Sequence, residues 1–413
     1  MRCKRGKINP QRLGKFNSKL TDKPPARPQE PPHSTSNRHA LMPVCSMPIA
    51  VLATGIKSYT SLSLEPTTDL QHTFAEHEEL KVILLAGQKY FDIQIACDVR
   101  AGKGPALLRS HFPVFAASIG SADPSAPAVG FFGGIHGLER IGTQVILHYM
   151  RALLFRLEWD ALLRHQLDKI RLVFMPIVNP GGMRLHKRAN PNGVDLMRNA
   201  PQRSEGRVPF LAGGQTLSPL LPWYCGKTGA PMEIESAALL KVVRDQLASR
   251  PFSLALDCHS GYGFSDSIWF PYAKTRRMMQ HLPEMFALKT MLEESMPHHD
   301  YSFEPQSNQY LLHGDLWDHA YDQSPPENVF LPMTLELGSW LWIRKNPRQI
   351  FSRHGIFNPI KAHRIKRVLR RHVDLLDFLT RAAFAAPSWL PQAEQRTELQ
   401  QLAMAYWRPP RPR

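Results

Sequence analysis

Phe131-Phe132-Gly133-Gly134-Ile135-His136-Gly137-Leu138-Glu139 is the stretch on which the reading of this chain turns. Residues 129–132 form a short, wholly apolar run that predicts a buried strand. Gly133 and Gly134 end it, and Ile141, Val145, Ile146, Tyr149 and Leu153 then recur at helical spacing. His136 and Glu139 are therefore expected in a turn between a strand and a helix. In open α/β sheets ligands bind there, beyond the carboxyl ends of the strands. An imidazole and a carboxylate three residues apart can turn onto one Zn²⁺, which takes nitrogen at about 2.0–2.1 Å and carboxylate oxygen at about 2.0–2.2 Å.

Outward from this turn, strand and helix patterns alternate. Residues 170–177 predict a strand ending at Asn179-Pro180-Gly181-Gly182, and 252–258 a strand closed by His259-Ser260-Gly261. A further strand is expected over 267–270, and 329–337 predicts one that contains Glu336. Residues 233–248, 276–296 and 360–383 read as helices, the last burying Val368, Leu369, Val373, Leu376 and Leu379. The pattern predicts an α/β fold over 121–386, a mixed and mostly parallel twisted sheet flanked by helices. Residues 42–120 are expected to form an N-terminal region, partly β, packed on or leading into it, with short apolar runs at 81–86, 90–95 and 114–119. Residues 387–413 read as a C-terminal tail. Between the second and third strands, 183–230 make a Gly- and Pro-rich excursion too long for a plain connection, and such loops carry function.

The chain has 51 basic and 35 acidic residues, a formal net charge of +16. Residues 1–40 hold ten Lys/Arg against Asp22 and Glu30, so 10 − 2 gives +8, half of the surplus. Rich in Pro and Ser, 1–41 read as a disordered basic leader. Only Phe16 there could stack on a base, so no obligate nucleic-acid partner is expected. No run is apolar and long enough for a transmembrane segment. Residues 42–56 only faintly resemble a signal peptide. Five cysteines without CxxC spacing argue against a disulfide framework or a thiolate zinc site and point to a reducing, cytoplasmic setting.

At the carboxyl ends of the proposed strands stand His136 with Glu139, Asn179, His259 and Glu336. Two imidazoles and a carboxylate make the His₂Glu set of a catalytic zinc site with a fourth position for water, which predicts one Zn²⁺ per chain. Glu336 inside Met333-Thr334-Leu335-Glu336-Leu337 is a costly carboxylate unless it is paired or useful. Beside such a water it would be the general base. Asp257 is left without a role.

Read in order, Gly-Ile-His136-Gly-Leu-Glu139, Val178-Asn179-Pro180-Gly181-Gly182, Arg188-Ala-Asn190-Pro-Asn192-Gly193-Val194-Asp195-Leu196-Met197-Arg198-Asn199, Asp257-Cys-His259-Ser260 and Thr334-Leu-Glu336-Leu resemble the zinc metallocarboxypeptidases, the carboxypeptidase A-like peptidases. The likeness covers roughly residues 80–385. It implies that His136, Glu139 and His259 bind zinc and that Glu336 is the catalytic base and acid. Arg188 would polarise the scissile carbonyl, Arg198 would grip the substrate's terminal carboxylate, and Asn199 would lie beside it at the substrate. The family's mobile tyrosine would be Tyr310, with Tyr321 second. The chain departs from the family's pattern at Met197, where asparagine is usual, and at Gly181, where an acid is usual. Met197 removes one donor from the expected carboxylate pocket.

The expectation is a zinc-dependent hydrolase of a peptide or small amide, acting as a carboxypeptidase. Deacylation of N-acyl amino acids or hydrolysis of peptidoglycan stem peptides on the same fold is the alternative, and an inactive, basic binding module is the non-enzymatic one.

Overall fold

The computed structural model describes residues 74–100 and 111–408. The leader at 1–41, the start of the 42–120 region and residues 409–413 lie outside the described residues.

Eight strands form one sheet: β1 (Asp92–Arg100), β2 (His111–Gly120), β3 (Ala128–Gly133), β4 (Arg171–Met175), β5 (Phe252–Ser260), β6 (Ser267–Phe270), β7 (Ser302–Pro305) and β8 (Val329–Leu337). Their spatial order is β1-β2-β4-β3-β5-β8-β6-β7. The central four, β4, β3, β5 and β8, run parallel. Antiparallel pairs flank them, β1 on β2, β2 on β4 and β6 on β8, and β7 closes the far edge parallel to β6. β3, β4 and β5 are buried at every position, as strands covered on both faces must be.

Helices of seven or more residues, among the described residues, are α1 (Ala75–Ala86), α2 (Arg140–Leu157), α3 (Ala161–Leu167), α4 (Ile234–Val243), α5 (Leu282–Ser295), α6 (Leu316–Asp322), α7 (Ala362–Phe384) and α8 (Ala393–Trp407). None of the described helices is long and apolar enough to cross a membrane. α5 starts six residues later than its pattern suggested, because Pro283 sets its first turn. α7 buries Leu375, Leu376, Leu379, Ala382 and Ala383, whereas the expected Val368, Leu369 and Val373 are only half-buried.

Two expectations are corrected. The run 81–86, grouped with a partly β region, lies in α1, where Leu80, Ile83 and Leu84 give one buried helical face. Glu76 in its first turn forms a buried ion pair with Arg140 at 2.6 Å. The stretch from 387, read as a tail, carries α8. Its Trp407 is buried among the rings of Phe270, Phe286 and Phe303, and the indole N–H donates to the Phe303 carbonyl at 2.7 Å. Arg396 pairs with the buried Glu284 of α5. A polar helix with a few apolar anchors leaves little periodic signal, so its sequence reads as a tail.

Trp407→Ala should therefore destabilise the whole domain by about 3–5 kcal/mol, the usual range for deleting a buried aromatic. Urea unfolding followed by circular dichroism measures it, and a change under about 1 kcal/mol would mean that α8 is only loosely attached.

Candidate metal centre and active-site pocket

The site forms where β3, β5 and β8 end side by side. Gly133 pairs with Cys258, and His259 pairs with Glu336 on the neighbouring strand. Gly134 leaves β3 at a φ of 62°, a left-handed turn that brings His136 over the sheet edge. Glu139 immediately precedes α2, and Gly142 lets that helix press on β5: a Cβ there would sit 2.2 Å from the Cys258 carbonyl oxygen. The turn is thereby held beside His259.

His136, Glu139 and His259 are all buried, and their ligand atoms lie within 4.8 Å of one another. Glu139 Oε1 is 2.8 Å from His136 Nδ1, Glu139 Oε2 is 2.9 Å from His259 Nδ1, and the two Nδ1 atoms are 3.2 Å apart. Each far nitrogen meets a buried carboxylate. His136 Nε2 donates to Asp195 at 3.0 Å and His259 Nε2 donates to Asp257 at 2.5 Å. A carboxylate only accepts, so Nε2 keeps its proton and Nδ1 is the nitrogen left for a metal, which would displace any proton there. Ligands about 2.0–2.1 Å from a tetrahedral ion stand roughly 3.3 Å apart, so the spacing and the donor set both fit Zn²⁺. Burial opposes charge on His259, yet Asp257 and then Glu139 hold its pKa well above the ordinary value. Burial likewise opposes charge on Glu139, but His136 and His259 hold its carboxyl low.

Positions i and i+2 of a strand share a face, and that rule alone pairs Asp257 with His259. Asp195 was present in the motif without a role; no local spacing announces that it reaches His136.

Four other expected residues reach the pocket. Glu336 lines it, and its Oε1 accepts the Tyr262 amide at 2.9 Å. Burial and then the charge of Glu139 push its carboxyl up to about 8. Arg188 donates Nη1 to Glu139 Oε1 and Nε to Asp195 Oδ2, each at 2.9 Å. Burial opposes its charge, but Asp195 and Glu139 more than compensate. Arg198 is 4% exposed, and among the described residues its guanidinium donates only to the carbonyls of Met197 and Ala212, both at 3.4 Å. Its Nε is buried without a partner, and no carboxylate pairs with it among the described residues. Tyr310 lines the same pocket.

Asn199 does not reach it, which corrects the expectation. Its amide is consumed by the backbone, donating to the Cys225 carbonyl at 3.0 Å and accepting from the Glu233 amide at 2.7 Å, so it braces the long loop instead. Tyr321, the second tyrosine, is buried with its hydroxyl on His281 Nδ1 at 2.9 Å.

The loop that carries Arg188 and Asp195 is ordered by Asn190. Its Oδ1 accepts the amides of Asn192 and Val194, both at 3.0 Å, and its Nδ2 donates to Glu233 at 2.8 Å and Glu235 at 3.3 Å. Burial pushes the carboxyl of Glu235 up to about 7.

Comparison with known proteins gives the same direction. A family model described as zinc carboxypeptidase matches residues 99–339, more than half of the chain. The chain is 27% identical over 236 residues to a metallocarboxypeptidase A of Trichophyton rubrum, 52% of each. It is 32% identical over 77 residues to the carboxypeptidase SOL1 of Arabidopsis thaliana, 19% of this chain and 16% of that one. It thus spans about half, or less, of the length of these relatives. Among solved structures, carboxypeptidase A from Helicoverpa armigera superposes with a TM-score of 0.54 at 18% identity, covering 75% of this chain and 72% of the other. Thrombin activatable fibrinolysis inhibitor gives 0.53 at 16%, covering 75% and 74%. At these identities the structural likeness speaks for the fold.

His136→Ala or His259→Ala should abolish stoichiometric zinc uptake, and Asp257→Ala should weaken it about 10- to 100-fold in a chelator competition. Full affinity in Asp257→Ala would remove its orienting role. A second measurement concerns pH. A carboxyl raised from 4.5 to about 7 in the folded state binds its proton more tightly there than in the unfolded chain. Stability is therefore lost as pH rises through that window. Glu235→Gln should be more stable than the parent at pH 8, by up to about 3 kcal/mol, with the gain fading toward pH 4 in denaturant titrations.

Proposed function

The chain belongs to the zinc carboxypeptidase family, and from that premise we propose that it releases C-terminal residues from peptides at a Zn²⁺ held by His136 Nδ1, His259 Nδ1 and Glu139. The observation that carries this reading is Arg198, a buried guanidinium that no carboxylate hydrogen-bonds among the described residues, in the same pocket as the His/Glu cluster and Glu336. A buried cation left unpaired is costly, and a planar guanidinium is matched by a carboxylate that can take two parallel hydrogen bonds. The terminal carboxylate of a peptide supplies that group. Met197 contributes no donor, so the recognition rests on Arg198.

A bound zinc ion supplies Lewis acidity, which brings water ionisation toward neutral pH and polarises a carbonyl. Glu336 takes the proton of the attacking water and returns it to the leaving amine; its raised carboxyl suits the return step, and positive charge on the His/Glu cluster would favour the carboxylate that accepts the proton. Arg188, fixed by Asp195 and Glu139, presents its charge where the scissile carbonyl oxygen becomes negative. Tyr310 lines the same pocket and would lie against the bound peptide.

Glu336→Gln should keep zinc and lose turnover by about 10²- to 10⁴-fold. In a panel of peptides with free or amidated C-termini, together with N-acyl amino acids, the free peptides should be cleaved by the zinc-loaded protein and not after chelation. Equal cleavage of amidated peptides would defeat the exopeptidase reading, and cleavage confined to N-acyl amino acids would turn it into a deacylase.

A further inference from the structure

Outside the leader, the positive charge of the chain lies in one stretch. Residues 337–373, which follow Glu336 directly, hold ten Lys/Arg and no Asp or Glu. With +8 on residues 1–40, the +10 here leaves 16 − 8 − 10 = −2 for the rest of the chain. Three short helical turns, Trp340–Lys345, Pro347–Phe351 and Arg353–Phe357, lead from the end of β8 toward α7. They are tied into one unit. Gln349 donates to the carbonyls of Gly355 and Asn358 at 2.6 and 2.7 Å, and Arg364 of α7 donates to the Trp342 carbonyl at 3.3 Å.

Arg344, Lys345, Arg348 and Arg353 are exposed on this unit. Lys366, Arg367 and Arg370 are exposed on α7 at one-turn spacing, so they share its outer side. Among the described residues Arg371 alone of the ten has a carboxylate partner, Asp266 at 3.1 Å. Like charges gathered without counter-charge repel one another, and a bound polyanion relieves that repulsion. Apolar side chains stand between these cations: Phe351 is 90% and Ile350 53% exposed, and Ile360 is exposed as well. Phosphates of nucleic acid reward cations and bases reward flat rings, but neither rewards isoleucine. A bilayer containing anionic lipid rewards both kinds of side chain, the cations at the headgroups and the apolar groups at the acyl boundary. The same stretch borders the active site, because Trp340, Ile356 and Phe357 line its outer part with Arg188 and Glu336.

We propose that this face adsorbs to anionic lipid, with Phe351 and Ile350 entering the boundary between headgroups and acyl chains while the exposed cations meet lipid phosphates. The mouth of the pocket is thereby held at the membrane surface. The proposal concerns binding and not turnover, so it stands or falls apart from the peptidase reading.

The test is co-sedimentation of the full chain with vesicles of phosphatidylcholine alone and of equal parts phosphatidylcholine and phosphatidylglycerol, with a DNA duplex as a second polyanion. The anionic vesicles should bind at least about tenfold more tightly than the zwitterionic ones, and added salt should weaken them. The basic leader also attracts anions, so variants of the face carry the decision. Exchanging Arg344, Lys345 and Arg348 together for Gln should weaken vesicle binding by about fivefold per cation, and exchanging them for Lys should preserve it. Phe351→Ser should weaken vesicle binding by about tenfold and leave duplex binding unchanged. Equal binding to both vesicles overturns the proposal. Unchanged vesicle binding in the triple Gln variant assigns the attraction to the leader and overturns it too. Unchanged vesicle binding in Phe351→Ser, with the duplex bound as tightly, makes the face a general polyanion site and overturns it as well.

Discussion

The constraint on which the rest depends is the pair of hydrogen bonds that fix the two imidazoles from behind. Asp195 and Asp257 take the Nε2 protons of His136 and His259, so both Nδ1 lone pairs turn toward Glu139. Each carboxylate also holds a second group. Asp195 uses its other oxygen on Arg188 Nε, and Asp257 Oδ2 accepts the indole N–H of Trp317 at 3.0 Å. Ligand tautomer, the guanidinium proposed for the oxyanion and one wall of the substrate pocket are thus set by two acids. A shift of either one disturbs metal and substrate geometry together, because the same atoms serve both.

The fold makes this convergence cheap. Three parallel strands stop at one level, and their register already places His259 opposite Glu336. The remaining work is to hold the His136–Glu139 turn down, and a residue far along the chain does it. Asn358 accepts the amide of Ile141 at 2.9 Å and donates to the carbonyl of Leu138 at 2.8 Å. It satisfies a first-turn N–H of α2 that the helix itself leaves unpaired, as a capping side chain would. Gln349 in turn holds the carbonyl of Asn358 at 2.7 Å, so the clamp is itself clamped. A loop turn that carries metal ligands gains the rigidity of a helix terminus in this way.

What the sequence discloses follows from the range of the interactions. Apolar runs and their periods are local, and the strands at 128–133, 252–260, 267–270 and 329–337 were legible from them. The set His136, Glu139, His259 and Glu336 was legible because strand ends in an open sheet share an edge, a rule of topology that needs no knowledge of side chains. Asn358 and Asp195 act across long separations through single hydrogen bonds, and no periodicity marks them. Asn199 shows the converse error: it sits beside Arg198 in a motif, but adjacency in an irregular loop says nothing about direction, and its amide is taken up by the backbone groups of Cys225 and Glu233. α8 escaped because mostly polar helices are stabilised by a few buried anchors, here Ala403 and Trp407, rather than by a continuous stripe.

Glu336 and Glu139 are like charges under one roof, and the consequence reaches beyond stability. Burial and the neighbouring carboxylate favour the protonated form of Glu336, which is the acid and not the base. Arg188 and His259 oppose this but do not overcome it. A divalent cation on the His/Glu cluster would add positive charge beside Glu139 and so favour the carboxylate form of Glu336, the form that the proposed general base needs. Its proton affinity and the metal affinity of the cluster are therefore linked: whatever strengthens one charge state of the pair strengthens the binding of the ion that favours it. On the proposed reading Glu336 is less a separate catalytic group than the outer part of the metal site, and the register of β5 against β8 is what joins them.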